Sequence, residues 1–398
     1  MRRQATAGAA FISSRALVYA VALFVSLRLS TDSSLNAERF DDPSLTHPLG
    51  GLGDILFSPL ARWDSVWYLG IAGEGYDGGA DTAFFPLYPL LVRALVLPYP
   101  SEAALLVSAY VVSLACFAGA LWLLHRLVEL ELGRPVAGAT VWLVALFPAA
   151  LYFGAPYSES LFLLVSVGAF YAARTGRWAW AGALAAAAAA TRSAGIVLLL
   201  PLFILWLDAR PRDLRSLAWL ALAPLGLAAY ALHLEIAHGD ALAFIDAQEL
   251  WYRDFAGPFV GAWDGAMAAW DGVRQLASGA RDPVYFELAA GDPFSVAAIN
   301  VLLFSFLVFA AVAVVGAFRR LPRAYGAYAL VALAIPLSYP VATQPLMSLP
   351  RFLAVLFPLF MWLAVVTEER GWTRAVTATF AVGLGLFTAQ FAAWEWIS

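Results

Sequence analysis

Lysine is missing altogether, and all 24 basic residues are arginine. Cysteine occurs once, at Cys116 inside an apolar run, which excludes a disulfide framework and a thiolate metal cluster. Charge is scarce as well. Only 13% of the 398 residues are charged and the net charge is −4, so there is no basic footprint for nucleic acid. The four histidines, at 47, 125, 233 and 238, keep no metal-ligand spacing. The chain has no GxxxxGK(S/T) phosphate loop, no HExxH and no Ser-His-Asp arrangement.

What fills the chain instead is apolar: 62% of the residues, with a mean hydropathy of +0.76, against about 45–50% apolar in an average soluble domain. This excludes a soluble enzyme and a disordered protein and marks a polytopic membrane protein. The arginine-only basic set and the alanine-rich tracts point to a high-GC bacterial coding bias, and so to a bacterial cell membrane.

A span needs about 20 apolar residues. Apolar runs cover 11–29, 102–125, 136–153, 159–173, 178–207, 217–237, 295–318, 324–342, 351–367 and 375–393. The first follows Arg2 and Arg3 and ends at Arg28 without a small-residue cleavage pattern, so it reads as an uncleaved first helix. The connectors hold Arg126/Arg134, Arg174/Arg177, Arg210/Arg212/Arg215, Arg319/Arg320/Arg323 and Arg370/Arg374, and arginine-rich connectors stay cytoplasmic. Two long segments, 30–83 and 238–294, carry few arginines for their length and belong outside. Both flanks of 178–207 are basic, which favours a hairpin of two short helices turning at Arg192 over one continuous helix.

The run 84–99 holds Pro86, Pro89, Pro98 and Arg93, and lipid cannot replace the backbone donors that proline removes. It reads as an interfacial helix, with Phe84, Phe85, Leu87 and Tyr88 dipping into lipid or protein. The expectation is an all-α protein of about 11 spans, N-terminus inside and C-terminus outside. It forms a single integral-membrane domain over 1–398, with a first outer loop over 30–101 and a second over 238–294.

Polar groups at the membrane edge are costly and usually functional. Arg62-Trp63-Asp64-Ser65-Val66-Trp67-Tyr68 sits on the first outer loop. If 61–73 is helical, Asp64 and Tyr68 share a face. Asp64 then reads either as a general base at a low-dielectric boundary or as a solvated carboxylate on an anchoring helix. Thr82 to Pro89 reads as a rigid aromatic wall, with Tyr88 facing a lipid tail or sugar, or as an interfacial anchor. In Gly154-Ala155-Pro156-Tyr157-Ser158-Glu159-Ser160, Ser158 reads as an N-cap. Glu159 is a first-turn acid or a second acidic group of an outer cavity. Arg192, Arg351 and Arg253 all fall on the outer side, where an arginine needs a partner such as a phosphate; Arg351 and Arg253 can instead snorkel to headgroups, which suits Arg192 less because apolar residues flank it on both sides.

Read together, RWDSVWYLGIAGEGYD, AFFPLYPLL, APYSESLF, ATRSAG and LPRFLAVLFPLF resemble, in order, the signature segments of the GPI mannosyltransferase II (PIG-V) family, with Ala194 where asparagine is usual. That family belongs to the GT-C class of multispanning glycosyltransferases. The resemblance implies a GT-C-like fold, interfacial helices in the first outer loop, and transfer of mannose from polyprenyl-phosphate-mannose on the outer face. It places Asp64 at the catalytic carboxylate and Trp63 at its aromatic neighbour, with Glu159 and Arg192 on two further motifs.

The acceptor is a glycan or glycolipid hydroxyl, and membrane lipids surround the site. Asp64 is expected to take the acceptor proton. Arg192 and Arg351 are expected to hold the donor phosphate without a metal or other cofactor. Trp63, Tyr68, Tyr88, Glu159 and Arg253 are expected to contact substrate. One base and no nucleophilic carboxylate implies inversion. Trp251, Tyr252, Trp263 and Trp270 of the second loop are candidates for a lid and acceptor platform. Two other readings stay open: a GT-C enzyme using another polyprenyl-phosphate sugar, and a lipid-linked sugar transporter or flippase.

Overall fold

The computed structural model describes residues 2–28, 35–210, 213–279, 282, 284–286, 292–342 and 344–395, excluding the side chains of 2–5 and 35. Arg212, the side chains of Arg2 and Arg3, residues 29–34 of the first outer loop and residues 280, 281, 283 and 287–291 of the second lie outside the described residues.

Among the described residues the fold is all helical, without strands. The chain opens with α1 (Arg2–Arg28), followed by the short helices α2 (Leu35–Phe40), α3 (Pro43–Thr46) and α4 (Gly51–Phe57). Next come α5 (Asp64–Glu74) and α6 (Leu87–Ala94). At eight residues, α6 is about 12 Å long, too short to cross a bilayer. It lies against α5, where Arg93 donates to the carbonyls of Ala72 (2.9 Å) and Gly73 (2.5 Å).

The helix α7 (Glu102–Leu132) starts at Ser101, whose hydroxyl accepts from the Ala104 N–H at 3.3 Å. It runs past the apolar stretch 102–125 and takes in Arg126 and Glu129-Leu130-Glu131, which the hydropathy boundary leaves in a connector. Gly133, at φ 84°, turns the chain into α8 (Arg134–Leu146). A 3-10 turn, Pro148–Phe153, then leads to α9 (Glu159–Arg174). Phe147, at the break, meets Phe306, Phe309, Phe360 and Phe380 at centroid distances of 5.7, 6.5, 5.0 and 5.4 Å. This aromatic knot ties three later helices to the break.

The run 178–207 is divided, as its flanking charges imply. Helix α10 (Trp178–Thr191) stops at Arg192, which is extended (φ −155°, ψ 148°). A 3-10 turn, Ser193–Leu198, leads to α11 (Leu199–Asp208). The short α12 (Leu214–Ala218) precedes α13 (Leu225–His238). Glycines let these backbones touch: a Cβ on Gly182 would overlap the Trp219 carbonyl, and one on Gly226 the Ala186 carbonyl.

The described part of 238–294 is largely helical. It holds α14 (Ala243–Leu250) and the 21-residue α15 (Pro258–Ser278). The buried face of α15 carries Gly261, Gly265 and Gly272 and packs on the Leu337 carbonyl, Leu346 and the Ala297 carbonyl. Its outward face shows Phe259, Trp263 and Trp270. The remaining helices are α16 (Pro293–Arg320), α17 (Arg323–Leu337), α18 (Leu349–Ala354), α19 (Phe357–Arg370) and α20 (Thr373–Ala392). The apolar run 351–367 is therefore broken between α18 and α19.

Among the described residues, five helices are long and apolar enough to cross a membrane: Thr6–Arg28, Glu102–Leu132, Leu214–His238, Pro293–Arg320 and Thr373–Ala392. Shorter apolar helices of 10–17 residues pack among them. The chain is a multi-pass membrane protein. Glu159 and Arg174 stand at opposite ends of α9, about 22 Å apart, so the charged group at Glu159 and the basic connectors occupy opposite ends of the bundle.

Candidate active site

Four charged side chains, each placed at the start or break of a helix, form one continuous ion chain. Asp64 is the first residue of α5, Glu159 the first of α9, Arg192 lies in the break after α10, and Arg351 is in α18. Arg351 donates through Nη1 to Asp64 Oδ2 at 2.5 Å and through Nε to Glu159 Oε1. Arg192 Nη1 donates to the same Glu159 Oε1 at 2.5 Å.

The Glu159 side chain has no exposed surface, whereas that of Asp64 is 24% exposed. Burial therefore deepens from the Asp64 end, which opens to the surroundings, to the Glu159 end, which does not. Oε2 of Glu159 is buried without a hydrogen-bond partner among the described residues.

Aromatic groups frame the chain. The Arg351 guanidinium lies over the rings of Tyr157 (4.8 Å) and Tyr152 (5.4 Å), a contact that stabilises a desolvated cation. The Tyr157 hydroxyl donates to the Arg62 carbonyl at 3.0 Å and accepts from the Asp64 N–H at 3.1 Å. Tyr157 thus fixes the first turn of α5 against the turn that carries Glu159. The hydroxyls of Tyr68 and Ser158 lie 2.7 Å apart, and burial pushes the Tyr68 phenol up to about 12. The phenol is therefore a neutral hydrogen-bonding group beside Glu159.

Phe352 sits between two guanidinium groups, 5.4 Å from Arg192 and 5.8 Å from Arg253. Arg253 donates to the carbonyls of Tyr339 (3.4 Å) and Met347 (3.3 Å). Burial lowers its pKa to about 10, with the Arg351 cation acting in the same direction and Asp64 opposing. It stays charged near neutrality. Three arginines against two carboxylates leave the cluster with one surplus positive charge.

Strained backbone marks the same places. The non-glycine residues with positive φ among the described ones are Trp63, Tyr252, Ser348 and Trp394. Trp63 immediately precedes Asp64, Tyr252 precedes Arg253, and Ser348 caps α18 ahead of Arg351. Such conformations cost about 1–3 kcal/mol each and gather at functional sites.

The structure thus gathers Asp64, Glu159, Arg192 and Arg351, with Arg253 and Tyr68 at their edge. Trp63 and Tyr88 do not face this chain. Trp63 packs on Phe40 (5.4 Å) and Trp394 (5.3 Å). Tyr88 is fully buried behind Tyr68, its hydroxyl donating to the Ala109 carbonyl at 3.1 Å and 2.8 Å from the Ser113 hydroxyl.

The four aromatics of the second loop do not form one platform either. Trp251 packs on Trp67 and Phe84 and donates to the Ala80 carbonyl. Tyr252 is exposed, and Trp263 and Trp270 lie on the outward face of α15. Sequence reasoning passed over Tyr152, Tyr157 and Phe352. Their only signal was adjacency to the acid and arginine motifs.

The Mannosyltransferase (PIG-V) family model matches residues 9–221. The chain is 35% identical over 173 residues to GPI alpha-1,6-mannosyltransferase 2 of Cricetulus griseus, covering 41% of this chain and 35% of that protein. It is 33% identical over 173 residues to the Homo sapiens protein of the same name, with the same coverage. The chain spans about a third of the length of these curated relatives. Among solved structures, an Archaeoglobus fulgidus oligosaccharyltransferase is similar with a TM-score of 0.44 at 14% identity, covering 83% of this chain and 48% of that one. The family match takes in more than half of the 398 residues, including Asp64, Glu159 and Arg192, and the chain belongs to the PIG-V mannosyltransferase family.

Proposed function

We propose that the protein transfers a mannosyl residue from polyprenyl-phosphate-mannose to a hydroxyl of a glycan or glycolipid, on the outer face of a bacterial cell membrane. One observation carries the reading: a partly exposed aspartate joined through Arg351 to a buried glutamate and, through that glutamate, to Arg192, at the end of the bundle remote from the basic connectors. Family membership supports mannose as the sugar. The Asp64 carboxylate accepts the acceptor proton as the hydroxyl oxygen attacks the anomeric carbon. The bond from that carbon to the phosphate oxygen breaks through an oxocarbenium-like state, and a single displacement inverts the configuration. The departing phosphate gains negative charge, and Arg351 and Arg192 stabilise it. The guanidinium groups supply the positive charge that the departing phosphate needs, and the proposed mechanism calls for no metal. Arg253 and Tyr68 border the sugar and phosphate.

The test uses purified protein in bilayer discs with polyprenyl-phosphate-mannose, reading release of polyprenyl phosphate. Asp64→Asn should insert normally and lose about 10²–10⁴-fold in turnover, the range for removal of a general base. A correctly inserted Asp64→Asn protein with full activity overturns the mechanism. Activity only with another lipid-phosphate sugar overturns the choice of mannose.

A further inference from the structure

Arg15 stands inside the first membrane-spanning helix, nine residues from Thr6 and thirteen from Arg28. It lies about 14 and 20 Å along the axis from those positions, too deep for its head to reach either headgroup layer. It is 5% exposed. Among the described residues no carboxylate pairs with it. Its Nη2 donates to the Ala150 carbonyl at 2.8 Å and its Nε to Ser14 Oγ at 3.4 Å, and the guanidinium lies 4.9 Å from the Phe117 ring centroid. Among the described residues Nη1 makes no hydrogen bond. It presses on Gly154, where a Cβ would stand 2.6 Å from it.

A buried cation without a counter-ion is expensive, so its place needs a reason, and its contacts supply one. Ala150 lies in the 3-10 turn Pro148–Phe153, and Gly154 opens the stretch that ends at Glu159. Between them this segment delivers Tyr152 and Tyr157, the two rings under Arg351, and Glu159 itself. Phe117, under the guanidinium, stacks on Phe153 of the same turn at 4.6 Å. Arg15 therefore grips the segment at a carbonyl, at a ring and at a glycine that only a missing side chain leaves open.

We propose that Arg15 is a positioning residue for the site: from behind, it fixes the turn that presents Tyr157 and Glu159 to Arg351. This rests on the mannosyl-transfer reading for its effect on turnover, but not for its effect on the turn.

The test compares wild type, Arg15→Lys, Arg15→Met and Gly154→Ala in bilayer discs. It reads hydrogen exchange over residues 150–163, kcat, and KM for polyprenyl-phosphate-mannose. Arg15→Met should speed exchange in that segment and lower kcat about 10²-fold, the cost of a displacement near 1 Å, with KM little changed. Arg15→Lys, which keeps a donor for the Ala150 carbonyl, should recover part of both. Gly154→Ala keeps the cation and pushes it off its seat, so it should reproduce the Arg15→Met pattern even if Arg15→Met does not insert. Unchanged exchange in a folded Arg15→Met or Gly154→Ala protein overturns the proposal. So does a loosened turn with wild-type kcat in an enzyme that Asp64→Asn inactivates. If Asp64→Asn remains active, the functional reading fails on its own and the exchange data alone decide Arg15.

Discussion

Glu159 receives both arginines on a single oxygen while having no surface of its own. Removing its charge leaves Arg351 and Arg192 facing each other in a desolvated space, and breaking a buried ion pair from one side costs about 3–5 kcal/mol. Glu159→Gln is therefore expected to lower stability by about that amount, read by denaturant or thermal unfolding in detergent, as well as to impair transfer. An unfolding midpoint equal to wild type contradicts this. Arg351 spans two carboxylates with two different nitrogens, and a lysine presents one point charge and cannot bridge them. Arg351→Lys should insert, keep one pair, and lose about 10²–10³-fold in turnover, the usual cost of removing a charge-stabilising donor. Rates within threefold of wild type count against the bridging role.

The motifs made the charged members of this chain legible. Their pairing was not, because Asp64 and Arg351 lie 287 residues apart and nothing local links them. Nor do Trp63 and Tyr88 announce which way their rings turn: the positive φ of Trp63 swings it toward Trp394, and Tyr88 is drawn inward by the Ser113 hydroxyl.

At the scale of elements, the break at Arg192 and the short helix α6 could be read in advance. An arginine in an alanine tract and prolines in an apolar run are local events with local costs. Helix α15 could not. Asp264, Asp271 and Arg274 dilute its hydropathy, and its packed face is made of glycine, which carries no hydrophobic signal. The end of α7 was missed for a related reason: a helix continues into a polar connector where hydropathy stops. Close backbone contact also dictates tolerance to substitution. Gly226 touches the Ala186 carbonyl across α10 and α13, so Gly226→Ala should cost about 1–3 kcal/mol through overpacking. Gly8→Ala, inside α1, meets nothing within 4 Å and has no positive φ to strain, so it should cost almost nothing. Melting curves of the two variants should separate. Equal melting temperatures contradict the close approach of the two helices.

For the whole molecule, the placement of charge predicts sidedness. Asp77 lies between α5 and α6 and Thr175 between α9 and α10, both exposed. Cys116 is the single native thiol, so a Cys116→Ala background makes the labelling clean. A membrane-impermeant maleimide should modify Asp77→Cys from outside intact cells and reach Thr175→Cys only after permeabilisation. Labelling of both from one side contradicts the assigned orientation.

The ion chain has a consequence for the cycle as a whole. With internal carboxylates already seated on Arg351 and Arg192, any second anion meets those two guanidinium groups only in competition. On the proposed mechanism, an incoming lipid phosphate has to displace Glu159 and Asp64 from the arginines, which limits how tightly it can hold. When the spent carrier loosens, the same two acids are on hand to reclaim their partners. Turnover is then helped by a built-in competitor that evicts the product.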